Sequence, residues 1–172
     1  IAGNKGGVTA YRGKMFVDGT GDGDIAAWAG ADFKLGDDET GAMQYATLCF
    51  TLSNVDSYYY EHTPVLHPAN ENSPTHKFPA DDEFPEIFDV HLCQNFSGPG
   101  TVGFNAGHLK DIDSTDPVSV SDGVILGRKI AYSYQRALKK YAPERFAAAH
   151  LACSANLLGI REGRRIEGEY VL

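Results

Sequence analysis

The sequence predicts an α+β fold, with an antiparallel or mixed sheet from the middle of the chain and two C-terminal helices packed against it. Three observations lead there. Short apolar and β-branched runs, separated by Gly- and Pro-rich turns, carry the chain as far as Asn105. Two segments with helical spacing follow from Ser119 onward. Nineteen glycines among 172 residues exceed the usual share of about 7%, so the chain turns often.

Each element has its own signal. Gly3-Asn4-Lys5-Gly6-Gly7 has hairpin-turn chemistry, and a strand is expected beyond it as far as Val17. Gly19-Thr20-Gly21-Asp22-Gly23-Asp24 breaks the pattern, and Ile25-Ala26-Ala27-Trp28-Ala29 reads as a short amphipathic helix stopped by Gly30. Asp32 to Gly41 is acidic and reads as an exposed loop at a domain crossing. Ala46 to Leu52, apolar on both parities, is expected to be one buried strand. From Tyr58 to Pro85 no periodicity is visible, which predicts a long irregular excursion of the kind that serves function or motion. Val90 to Phe96 and Thr101 to Asn105 read as strands joined by Ser97-Gly98-Pro99-Gly100.

The C-terminal third is helical by spacing. Ser119 or Ser121 can cap a helix whose stripe runs Val124, Gly127, Ala131, Tyr134, Leu138, Tyr141, with Gly127 and Ala131 admitting a close neighbour. Pro143 suits the first turn of a second helix over Phe146 to Leu158, stopped by Gly159. Arg164 to Leu172 has the content of a strand.

The charge balance excludes some functions. A net charge of −8, with no basic stripe, argues against nucleic acid and anionic membranes. No apolar run reaches the length of a membrane span, and the first residues resemble neither a signal nor a transit peptide. Cys49, Cys93 and Cys153 are widely spaced and odd in number. They predict buried small hydrophobes in a reducing compartment, not a disulfide framework or a zinc knuckle. No feature sets the compartment; cysteine usage leans to a cytoplasmic one and leaves secreted and periplasmic ones open.

Strand, glycine turn and helix together can place N–H groups beside a phosphate. Gly21-x-Gly23-x-x-Ala26 satisfies the dinucleotide fingerprint formally. The second strand that the fingerprint needs is missing, and two aspartates in the turn would repel a pyrophosphate. Asp18, Thr20, Asp22, Gly23 and Asp24 imitate a calcium loop, but Ala29 stands where the closing Glu should be. A P-loop fails because Met15 follows Gly13-Lys14.

Val17 to Ala31, with Thr20-Gly21-Asp22-Gly23-Asp24 at its centre, resembles the Ala-Thr-Gly-Asp-Gly-Asp motif and trailing Ala-rich helix of FAD-dependent oxidoreductases of the glutathione-reductase-like superfamily. Gly19 replaces the usual Ala. Leu158 to Leu172, containing Gly159-Ile160-Arg161-Glu162-Gly163-Arg164-Arg165-Ile166, resembles the same family's Gly-Ile-Arg-Glu-Ser-Arg-Arg-Ile segment, with Gly163 for Ser. Thr115-Asp116-Pro117 before the helix containing Gly127-Arg128 is similar as well.

The resemblance implies a set of expectations. Residues 1–31 would be a strand-turn-helix portion of a Rossmann-like FAD-binding domain, and residues 32–172 a substrate-side domain. Thr20, Gly21, Asp22, Gly23 and Asp24 would lie near the ADP portion of FAD, and Arg161 and Arg165 are candidates for a substrate carboxylate. The chain would be an internal piece without the N-terminal Gly-x-Gly-x-x-Gly, not expected to hold FAD tightly alone. Its partners would be a small-molecule substrate and the remainder of the same polypeptide. In the intact protein a hydride would pass from a small organic substrate to FAD.

Other residues give weaker signals. Arg164 reads as an ordinary ion-pair residue. His62, His67 and His76 read as loop surface without metal spacing. His91 and His108 flank the expected hairpin, and His150 is placed on a helix. Tyr58-Tyr59-Tyr60 suits either a stacking surface or a strand. No catalytic residue is identified. A non-catalytic α+β module that binds glycan or peptide is the rival reading.

Overall fold

The computed structural model describes residues 1–170. They divide into two compact units, one formed by Ile1–Lys34 with the residues from Arg164 on, the other by Leu35–Gly163.

In the first unit, β1 (Ala2–Asn4) and β2 (Gly7–Thr9) form the expected hairpin, Asn4 opposite Gly7. Gly7 supplies φ 109, and the Asn4 side chain accepts the Gly6 N–H at 2.8 Å. The strand does not continue to Val17. Met15 and Val17 stand exposed, and a segment without a ladder partner among the described residues is not a strand. The short helix α1 (Asp24–Trp28) follows the glycine turn and ends before Gly30 at φ 92. Within the expected acidic loop, β3 (Phe33–Lys34) pairs antiparallel with Arg165–Ile166. The C-terminal strand is confined to those two residues; Val171 and Leu172 lie outside the described residues.

The second unit is built on a four-stranded antiparallel sheet. Its elements are β4 (Ala46–Thr47), β5 (Phe50–Ser53), α2 (Ser57–His62), β6 (Leu92–Gly98), β7 (Thr101–Ala106), β8 (His108–Leu109), α3 (Pro117–Tyr141), α4 (Pro143–Phe146) and β9 (His150–Ser154). The strand order is β6-β7-β5-β9, and β4 pairs separately with β8. The single strand expected over Ala46 to Leu52 is therefore two. The chain leaves the β8 ladder at Leu48 and joins β7 and β9 from Phe50. Arg165–Ile166, in the first unit, is β10.

Alternation along the strands sorts residues between two faces. Leu52, Leu92, Val102, Phe104 and Ala106 are buried on one of them, in a core shared with Ile130, Ala131, Tyr134, Ala137 and Leu138 of α3. Each large apolar side chain so buried stabilises the unit by about 1.5–3 kcal/mol. Gly127 permits the close approach its sequence position implied, since a Cβ there would lie 2.7 Å from Leu48 Cβ.

Several expectations need correction. The α3 cap is Asp116, which accepts the Val118 N–H at 2.9 Å with Pro117 in the first turn, and not Ser119 or Ser121. The second helix ends after one turn, at Phe146. Residues 150–154 form β9 along the free edge of β5, so backbone pairing overrides the helical tendency of the alanines. His150 accordingly lies on a strand, and Gly159 stops no helix but bridges Thr47. Tyr58-Tyr59-Tyr60 belongs to α2, capped by Asp56. The excursion to Pro85 is irregular apart from α2 and a 3-10 turn at Pro74–Lys77, yet Leu66, Phe78 and Phe84 anchor it in the core.

Candidate functional site

The Gly-Asp turn is tied to itself by its own polar groups. Asp18 Oδ1 accepts from the Thr20 N–H at 2.9 Å and the Thr20 hydroxyl at 2.7 Å, while Oδ2 accepts the Ala26 N–H at 2.8 Å. Thr20 Oγ1 in turn accepts the Asp24 N–H at 2.9 Å. These bonds occupy donors at the start of α1. The Thr20 hydroxyl and the Ala26 N–H, in that order of weight, hold the Asp18 carboxyl below its ordinary range. Gly23 takes φ 63, and a Cβ there would meet Ile166 Cδ1 at 2.9 Å. The glycine is required both by its dihedral and by β10.

Arg164 belongs to this turn. Its Nη1 donates to Asp24 Oδ1 at 2.6 Å and to the Asp22 carbonyl at 3.2 Å, and its guanidinium lies 5.3 Å from the Phe33 ring centroid. Arg165 extends from β10, opposite Lys34. Arg161, in the second unit, is exposed, and its charge reaches His91. Thus Thr20, Gly21, Asp22, Gly23 and Asp24 are brought together in one turn.

In the second unit, the sheet face opposite α3 is the one where the cysteines lie. All three are exposed, against the expectation of buried thiols. Cys93 stands opposite Asn105; Asn95, Gly103, Thr51 and Cys153 make the adjacent row across four strands. With Cys49 and Ser154 they line a groove of about 440 Å³. The Asn105 Oδ1 atom there is buried without a hydrogen-bond partner. Alternation in Leu92-Cys93-Gln94-Asn95-Phe96 was the signal available for placing Cys93 outward.

At the end of the β6–β7 hairpin lies a cluster that sequence spacing does not disclose. His108 Nδ1 donates to Asp89 Oδ2 at 2.5 Å, and Asp89 Oδ1 accepts the His91 N–H at 3.0 Å. The His91 and His108 rings stack at 4.0 Å and 9°, and Tyr45 packs 5.0 Å from His108. Tyr134 donates to the His91 carbonyl at 2.9 Å. Burial, then the His108 and Arg161 charges, holds His91 below the ordinary imidazole value against the opposing pull of Asp89. His108 also lines a hollow of about 400 Å³ with Phe88, Leu109, Lys110, Leu126 and Ile130.

Three other histidines bond backbone groups nearby in the chain. His62 bonds the Tyr58 carbonyl at 2.8 Å, His67 accepts the Ala69 N–H at 3.1 Å and His76 bonds the Asn70 carbonyl at 3.1 Å. Among the described residues no group of three or more His, Cys, Asp and Glu could hold a metal ion, and no helix is long and apolar enough to cross a membrane.

The family model for FAD dependent oxidoreductases matches residues 1–172, and the chain belongs to that family. No curated protein and no solved structure matches it. The family implies FAD, and the turn can be tested against that group. Its helix N-terminus fits poorly as a phosphate ligand, because Asp18 and Thr20 already accept its N–H groups. At Gly19 and Gly21 nothing lies within 4 Å of where a Cβ would stand, so the turn is open to solvent at these two positions.

Proposed function

We propose that the chain forms part of a flavoenzyme in which a hydride passes from a small organic substrate to FAD. The first unit borders the adenosine side of the cofactor through Thr20, Gly21, Asp22, Gly23 and Asp24, and the second unit forms the substrate side. When bound, FAD supplies the hydride-accepting chemistry. The chain's own residues bind, orient and handle the proton. Arg161 and Arg165 are the candidates for a substrate carboxylate.

The observation that supports the substrate-side assignment is the open sheet face: a groove of about 440 Å³ bears three thiols, amides and two hydroxyls where an interior sheet would carry apolar side chains. The test is purification of the gene product that carries this chain, with its visible spectrum and FAD content. A flavin spectrum with bleaching by an organic reductant supports the reading. A protein that neither contains FAD nor takes it up sinks it.

A further inference from the structure

We infer that His108, oriented by Asp89, is the proton acceptor for oxidation of an alcohol whose apolar body occupies the hollow beside Phe88, Leu109, Leu126 and Ile130. The inference rests on the proposed flavoenzyme reading and adds to it a catalytic residue and a substrate class.

Four observations converge on this residue. A carboxylate can only accept, so the 2.5 Å contact between Asp89 Oδ2 and His108 Nδ1 fixes the proton on Nδ1 and leaves the lone pair on Nε2. Asp89 is itself positioned through its other oxygen by the His91 backbone N–H at 3.0 Å. The imidazole cannot swing freely, with the His91 ring stacked at 4.0 Å and the Tyr45 ring at 5.0 Å. Nε2 has no hydrogen-bond partner among the described residues, and the ring lines a hollow whose other walls are chiefly Phe88, Leu109, Leu126 and Ile130. An aspartate that fixes the tautomer and stabilises the imidazolium is the arrangement that makes histidine an effective base.

The step balances. The alcohol O–H bond breaks and its proton goes to Nε2, giving an imidazolium paired with Asp89. The carbinol C–H bond breaks with its electron pair, and FAD, when bound, would supply the two-electron acceptor for that hydride. The C–O bond becomes a carbonyl. A hollow lined chiefly by apolar side chains favours an alcohol with an alkyl or aryl body, and Lys110, its Nζ 3.9 Å from the Phe88 ring centroid, also lines it. The charged and titratable groups around His108 are Asp89, His91 and Tyr45, with Glu86 and Lys110 in the hollow and Arg161 acting on His91.

The experiment uses the flavin-containing gene product, with His108→Gln and Asp89→Asn, and the exposed His150→Gln as a folding control. The probes are 1-phenylethanol and cyclohexanol in anaerobic flavin reduction across pH, together with nitrogen-15 NMR of the histidine rings. The expected result for His108→Gln is unchanged flavin content, a reduction rate lower by about 10²–10⁴-fold and loss of one ionisation from the pH profile. In the NMR spectrum the neutral His108 ring carries its proton on Nδ1, and Asp89→Asn removes that preference. A protein without flavin defeats the flavoenzyme reading itself. With flavin bound, any of three results overturns the inference alone: neither alcohol reduces the flavin, the ionisation survives in His108→Gln, or NMR finds the neutral ring protonated on Nε2.

Discussion

Arg164 and Asp24, 140 positions apart, are joined by a 2.6 Å bond from Nη1 to Oδ1, and the same guanidinium nitrogen donates to the Asp22 carbonyl. One side chain thereby links the Gly-Asp turn to the Arg-rich terminal segment. Arg164 is largely shielded from solvent, which distinguishes this pair from an exposed ion pair of little consequence. Replacing it by Ala leaves Asp24 without its charged donor and removes the contact with Phe33.

Arg164→Ala is expected to lower the stability of the first unit by about 1.5–3 kcal/mol, the range for hydrogen bonds to charged groups. Amide exchange at Ala27 and Ala29, which bond Gly23 and Ile25 carbonyls at 3.0 Å, reads this directly. Lysine keeps the charge but lacks the planar guanidinium that lies over the Phe33 ring. Full rescue by Arg164→Lys would show that charge alone matters.

Gly107→Ala tests how tightly the histidine cluster is supported. Gly107 sits at φ 76, and an added Cβ would lie 2.2 Å from Ile130 Cγ2 and 3.0 Å from Tyr134 Cε2. The combined backbone strain and overpacking are expected to cost about 3 kcal/mol or more. Gly103→Ala, whose Cβ meets Ser97 Oγ at an ordinary 3.5 Å, should stay within about 0.5 kcal/mol of the parent. Denaturant unfolding of both variants compares the two sites within one sheet.

These two positions also mark what the sequence disclosed and what it concealed. The β6–β7 hairpin was legible because Ser97-Gly98-Pro99-Gly100 combines turn chemistry with flanking alternation. The long helix was legible because Val124 to Tyr141 keeps a helical stripe. The strand at His150–Ser154 was not, because its conformation comes from the free edge of β5 rather than from its own alanines. Asp89, His91 and His108 were hidden for a similar reason: only the return of the hairpin brings His108 beside Asp89. The Gly-Asp motif could be read by resemblance, but its use of Asp18 as a cap depends on three-dimensional closure.

Acid sensitivity should centre on Asp81. Lys140 at 2.6 Å, then the Tyr141 hydroxyl at 2.7 Å, hold its carboxyl at about 2, below the ordinary 3.8. A carboxyl depressed in the folded state contributes stability above the unfolded value, and that contribution is lost as pH falls through the folded value. Urea unfolding should therefore show a stability loss between about pH 4 and 2 that Asp81→Asn lacks. An identical acid limb in the variant would assign the loss to other carboxylates.

The three thiols give a test of the sheet face. Cys49, Cys93 and Cys153 are exposed and line one groove, so iodoacetamide should modify all of them without denaturant. A thiol that reacts only after unfolding would place it under cover in solution. If the groove is the substrate side, filling it must impede substrate and leave the Gly-Asp turn of the first unit unchanged. Cys93→Trp is then expected to slow flavin reduction by at least about tenfold, by obstructing the substrate's path, while FAD content stays unchanged. Cys93→Ser preserves the volume and should retain the parental rate. Equal rates for the Ser and Trp variants, measured in the same anaerobic reduction, would remove this face from the substrate path.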